Sequence, residues 1–337
     1  MTPVVAALPA DPDDRRAFLD GYFPRRLAEA TARDDGRWDL SVRPFDEAEM
    51  HVDPRLDDGL RWWDPALALP DVPAAVRGTG ASQLSLEDAW TGVAFSHWLA
   101  ERPAEQMTIL HVDDHTDLMG PLLTRRVAGG WTDLLTAAHV DLQRPATVAA
   151  AVASGAIGVA SFFTPFIFEV AQGEIRHLRA SPGGAEGTDL MRLVPRDRPD
   201  ELLAPGAVRP AVELATAGDA PFDGWSYRVT SDPCAWLAEL AAGPLLLHVD
   251  FDYFCNRFNG DSDWHEHTHA NDVGEDEVER RVDRLVAALE AAGVAGAVES
   301  VCGALSPGFF PAEYWAATVQ RLRGGLASLG VDVSAWR

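Results

Sequence analysis

Three things are scarce in this sequence: cysteine, basic side chains and long apolar runs. The 337 residues include 3 cysteines, Cys234, Cys255 and Cys302, scattered and odd in number. That excludes a disulfide framework and fits a reducing, cytoplasmic setting. Lys and Arg number 28 against 52 Asp and Glu, a formal charge of -24. Nucleic acid is therefore not an expected partner, because binding it needs basic groups against phosphate. An acidic surface favours cations, metal ions or a basic substrate, besides keeping the chain in solution. No apolar stretch reaches the roughly 20 residues that span a bilayer. The opening MTPVVAALPADPDDRR also lacks the basic segment of a secretory signal. The expectation is a soluble cytoplasmic protein with no membrane partner.

What is present is core material. Hydrophobic residues make up 47% of the chain, with 11 Trp and 14 Phe, enough for one large α/β domain. Residues 12–33 read as two short helical pieces around Pro24, and 34–80 as irregular wrapping. SLEDAWTGVAFSHWLAE reads as a helix with Ser85 near its start, and helical patterns recur around 131–154. Apolar runs bounded by polar residues mark buried strands at MTILHVD (107–113), AIGVASFF (156–163), PLLLHVDFDYF (244–254) and VAGAVES (294–300). Residues 164–230 are mixed, with a hairpin or insertion and a mobile turn at PGGAEG (182–187). Helices are expected over 232–243, 275–293 and 311–330. Strands alternating with helices imply a three-layer α/β/α architecture on a mainly parallel sheet. Residues 1–80 are expected to form an extension packed on an α/β domain at 81–337.

Two of those runs end in acids. Asp113 and His115 follow ILHV, with Asp117 two further on; Asp250 and Asp252 follow LLLHV. Residues two apart share one side of an extended segment, and ligands gather at the carboxyl edge of parallel sheets. Carboxylates brought together need a compensating cation, and neither segment holds Lys or Arg. A divalent pair is the fitting counterion, and carboxylates with one imidazole suit Mn better than structural Zn. His111 and His248 precede the acids by two and read as donors to the carboxylates or as satisfied core histidines. Beyond the second strand, Asn256, Asn259, Asp261 and Asp263 are candidates for substrate contact. His265, His267 and His269 read as a solvated or substrate-contacting loop.

D-x-H-x-D followed by D-x-D resembles the arginase (ureohydrolase) superfamily. The wording LHVDDHTDL, SFFTPFIF and LHVDFDYFCNRFNGDSDW is similar to its divergent peptide arginase branch, which converts arginine to ornithine in ribosomally made peptides. The resemblance implies an arginase-like fold and two Mn ions. Asp113 and Asp250 would bridge them, His115 and Asp252 complete one, and Asp117 belong to the other. Asp117 would also hydrogen-bond the nucleophile and pass a proton to the leaving amine. Glu299, read as ending its strand, would clamp the guanidinium as a bidentate carboxylate. The partner implied is an Arg-containing precursor peptide; a small guanidino substrate or a non-catalytic metal-binding role are the alternatives. One departure stands out: Ala89 follows Asp88 where the family places a metal-binding His. That leaves one metal weakly held, replaced at His97, or absent. The sequence leaves the oligomeric state open, a homo-oligomer included.

Overall fold

The computed structural model describes residues 4–23, 26–44, 52–102, 106–127, 129–180, 187–217 and 223–337. Strands β1 (Val4–Val5), β2 (Arg26–Ala32) and β3 (Trp38–Pro44) form a small antiparallel sheet in the order β1-β3-β2, with α1 (Pro12–Tyr22) between the first two. Helix α2 (Leu56–Trp63), β4 (Val76–Arg77), β5 (Ser82–Ser85), α3 (Thr91–Glu101) and β6 (Gln106–Val112) follow. A second small sheet, β7 (Leu123–Arg125), β8 (Trp131–Asp133) and β9 (His139–Val140), precedes α4 (Pro145–Ser154), α5 (Phe163–Glu169) and β10 (Gln172–Leu178). The last stretch holds β11 (Thr188–Pro199), β12 (Val208–Thr216), β13 (Trp225–Thr230) and α6 (Pro233–Leu237). It closes with β14 (Leu245–Asp250), α7 (Glu275–Ala292), β15 (Val298–Ala304) and α8 (Trp315–Ser328).

Nine strands build the central sheet in the order β12-β11-β13-β10-β6-β14-β15-β5-β4. From β13 to β5 every neighbour is parallel; the β11-β12 hairpin and β4 run antiparallel at the two edges. Alternation along β6 sends Met107 and Ile109 into one core and Leu110 and Val112 into the other. The first core is closed by α3, α4, α5 and the N-terminal unit, through Phe95, Val148, Phe166, Leu19 and Leu40. The second is closed by α2, α6, α7 and α8, through Leu60, Trp236, Val282 and Leu322. This is the three-layer α/β/α arrangement, and each fully buried Leu, Phe or Val contributes roughly 1.5–3 kcal/mol. Helix α7 shows the local logic: Glu275, Asp276 and Glu277 face its positive end, and Val278, Val282, Leu285 and Leu289 make its buried stripe. Gly293, at φ 66°, ends it in the left-handed conformation.

Several expected elements take another form. The second helical piece before residue 33 is β2, paired with β3 from Arg26↔Pro44 to Ala32↔Trp38; strand pairing overrides the helix propensity of its Leu, Ala and Glu. The Pro24 break lies outside the described residues. The stretch 34–80 is not all irregular, since β3 and α2 lie within it. Ser85 does not cap α3: it ends β5, and its hydroxyl donates to Glu87 O and Gly303 O. Within 131–154, only Pro145–Ser154 is helical, after β8 and β9. AIGVASFF is not a strand. It turns at Ala160, φ 57°, bonds back to Leu122 and Met119, and leads into α5. Its apolar residues still go to the core, with Phe162 and Phe163 at 0% exposure. The helix expected to Gly243 stops at Leu237. Of PGGAEG, only Gly187 is among the described residues.

Candidate metal centre

The site grows from three adjacent parallel strands. Register sets His177, His111 and His248 side by side on β10, β6 and β14. Their rings form a row, His177 tilted against His111 with centroids 4.5 Å apart and His248 stacked on it at 5.2 Å, and all three are fully buried. Hydrogen bonds fix their protons. His111 Nε2 faces the backbone oxygen of His115 at 3.1 Å and must donate to it. Its Nδ1 then accepts from His248 Nδ1 at 3.0 Å. His248 Nε2 is left as a buried lone pair with no hydrogen-bond partner. Burial lowers all three imidazoles, His248 to about 3 and His177 to about 4, so the row is neutral. His177, absent from the sequence reading, donates from Nε2 to Asp113 O at 3.0 Å and thereby holds the end of β6.

Just beyond the row the strands release their acids. Asp113, Asp117, Asp250 and Asp252 are at most 4% exposed. Burial first, then the fields of neighbouring carboxylates, pushes Asp113, Asp117 and Asp250 well above the usual carboxylate range. His115 goes the other way from its three buried relatives. Burial would lower it, but Asp252, Asp117 and Asp250 outweigh that and raise it to about 10. Its Nε2 donates to Asn259 Oδ1 at 3.1 Å, which turns Nδ1 toward Asp252 Oδ2 at 2.8 Å and Asp113 Oδ1 at 3.6 Å.

Two groups can each hold a metal ion, and they share Asp113. One is Asp113, His115 and Asp252; the other is His111, Asp113, Asp117 and His248, with donor atoms within 4.8 Å of one another in each group. Asp113 Oδ2, Asp117 Oδ2 and His248 Nε2 are buried without hydrogen-bond partners, a cost a bound cation would remove. The donor set fits a divalent ion. The sequence-predicted ligands Asp113, His115, Asp117 and Asp252 thus come together. His111 and His248, read as outer donors, fall in the second group by distance; His248 Nε2 is its open imidazole nitrogen, since both nitrogens of His111 are already hydrogen-bonded. Asp250 is in neither group; its oxygens accept from Ser306 Oγ at 2.6 Å and Asp252 N at 3.0 Å. Ala89 is buried in the first core, and His97 belongs to neither group among the described residues.

A cavity of about 450 Å³ opens over the acids. Glu87, Asp88, Asp114, Asp117, Asp250 and Asp252 line it together with His115, Met119, Val159, Pro307 and Phe309, and among the described residues no Lys or Arg does. Glu87, Ser306 and Phe309 were missed by sequence reasoning; for Glu87 the signal was its place beside the Asp88–Ala89 pair.

Two expectations are corrected. Glu299 is not at this edge. Leu245 opposes Val298 and Leu246 opposes Ser300, so Glu299 sits where β15 begins, with Asp250 opposite Ala304 at the other end. Five residues of strand separate them, about 17 Å. There Glu299 accepts from Trp98 Nε1 at 2.9 Å and Arg102 Nη1 at 2.6 Å. Asn256 and Asn259 do not line the cavity either. Asn256 donates to Asp114 Oδ2 and Asn259 Oδ1, so the pair positions Asp114 and His115. His267 pairs with Asp261 at 2.9 Å, and His265, His267 and His269 are in neither metal group.

The described residues include no helix long and apolar enough to cross a membrane. No family model matches the chain, and no curated protein matches it in sequence.

Proposed function

We propose that this chain is a Mn-dependent hydrolase of the guanidino group of arginine residues in a peptide, giving ornithine and urea, of the arginase-like kind its motifs resemble. The observation that carries the reading is the pair of metal-holding groups sharing Asp113 under a cavity lined by carboxylates and, among the described residues, by no Lys or Arg. Carboxylates with imidazole suit Mn. When bound, the metal would supply activated water near neutral pH. The chain's own residues do the rest. Acidic walls favour a guanidinium over neutral or anionic groups. Asp117 Oδ2, buried and unpartnered, can hold a proton and return it to the leaving amine. Phe309, packed edge-on to the His115 ring at 5.3 Å, keeps water from that side.

The peptide substrate is supported by the branch-specific wording around both motifs and by the chain's acidity. A cavity of about 450 Å³ also admits free arginine or agmatine, which keeps a small guanidino substrate as the second reading. One assay separates them. Mn-loaded protein is incubated with Arg-containing peptides, free arginine and agmatine, while urea and peptide mass are followed. Urea from peptides, with each modified Arg lighter by the mass of cyanamide, is the expected result. Urea from the small compounds alone would replace the peptide reading. No urea from any would leave a metal-binding protein of this fold.

A further inference from the structure

Beside the metal cavity lies a smaller cleft of about 30 Å³, and the two share Met119 and Val159 in their walls. Its polarity is the reverse of its neighbour's. Among the described residues lining it, Arg26 of β2 is the one that carries a charge. The hydroxyls there are committed: Tyr22 donates to Asp200 Oδ2 at 2.5 Å, and Ser161 to Gly158 O at 2.8 Å. The Arg26 guanidinium packs on Gly155, where the Cβ of any other residue would collide with it. Gly155 ends α4 at φ 84°, so the cation sits at the negative end of that helix. The carbonyls of that end accept from backbone amides, Val152 O from Gly155 N at 2.9 Å and Ala151 O from Ile157 N at 3.0 Å. Burial lowers Arg26 and the charge of Glu87 opposes that, but no hydrogen bond from a described residue acts on it. A half-buried guanidinium without an acceptor is costly, and a carboxylate matches its fork with two parallel bonds. A water-sized group needs about 10–15 Å³, so the cleft has room for the two oxygens of a carboxylate and little else.

We propose that Arg26 is a carboxylate subsite: it holds an acidic group on the same ligand whose cationic end enters the metal cavity across Met119 and Val159. That this ligand is an arginine compound rests on the hydrolase reading above; the acid is then arginine's own carboxylate or that of an acidic residue next to it. The test is calorimetric binding to Mn-loaded protein of Nα-acetyl-arginine, of the acetylated amides of Asp-Arg and Arg-Asp, and of Nα-acetyl-arginine amide, which has no carboxylate. Wild type should bind at least one of the acidic probes about tenfold more tightly than the amide. Which probe it prefers tells the two sources of the carboxylate apart. Arg26→Gln should bring that probe to the level of the amide with Mn content unchanged, and Arg26→Lys should keep part of the preference. No acidic probe bound more tightly than the amide by wild type overturns the proposal, and so does a preference that survives Arg26→Gln. Equal loss of all four probes in Arg26→Gln also overturns it, since Arg26 would then be structural. If Arg26→Gln does not fold, a preference undiminished in Arg26→Lys overturns it instead. A preference that depends on Arg26 without any release of urea would sink the hydrolase reading and leave the Arg26 assignment standing.

Discussion

His115 is useful only if one of its nitrogens is committed elsewhere. Asn259 accepts from Nε2 at 3.1 Å, which leaves Nδ1 facing the carboxylates, where a bound metal would take the place of its proton. Asn259 holds this place at φ 49°, a left-handed conformation that Asn tolerates better than most residues. Removing such an orienting partner typically lowers metal affinity about 10–100-fold. Asn259→Ala is therefore expected to weaken Mn binding within that range in a calorimetric titration, and Asn259→Asp, which keeps an acceptor, to retain most of it. An Asn259→Ala protein with wild-type affinity would show that the bond does not orient the ring. The same reasoning explains His111, which spends one nitrogen on the His115 carbonyl and the other on His248.

At the scale of elements, β6 and β14 were legible because a central parallel strand must be apolar on both faces, and the acids mark where it ends. The adjacency of the two strands follows from their register, which places His248 opposite His111. Other boundaries were illegible for physical reasons. VAGAVES contains a short helical turn, Ala295–Ala297, and its strand extends to Ala304 because β14 and β5 pair with it there. Reading the strand as ending at Ser300 put Glu299 at the wrong edge of the sheet. AIGVASFF has the composition of a buried strand, yet a short apolar run does not by itself tell strand from turn. Glu87 was hidden because its place in the cavity lining depends on the turn after β5.

Attachment of the N-terminal unit likewise depends on distant residues. Tyr22 donates to Asp200 Oδ2 at 2.5 Å, and Arg209 Nε meets the same oxygen at 3.1 Å while its guanidinium stacks on the Tyr22 ring. The Asp200 side chain is fully buried. Asp200→Ala strands a buried hydroxyl and a mostly buried cation, so a loss of about 3 kcal/mol is expected in chemical denaturation. A change under about 0.5 kcal/mol, the usual range for neutral surface sites, would show that the unit docks without this bond.

The central sheet lies between two cores, and the N-terminal unit shares the first of them through Leu19, Phe23 and Leu40. Its Arg26 packs on Gly155 and feels the charge of Glu87, a residue of the cavity lining. The two metal groups meet at Asp113. With Asp113, Asp117 and Asp250 raised, the metal-free fold holds protons that an ordinary carboxylate would have lost, and a metal must displace them. Apparent Mn affinity should therefore rise with pH between about 5 and 8 as that competition weakens. The most direct measurement is Mn bound per chain at equilibrium, at both ends of that window, in wild type and in Asp113→Asn. Wild type should bind Mn, more tightly at the higher pH, and Asp113→Asn, shown folded by circular dichroism, should bind none. A wild-type chain that binds no Mn, or a folded Asp113→Asn that binds as much as wild type, would contradict the assignment.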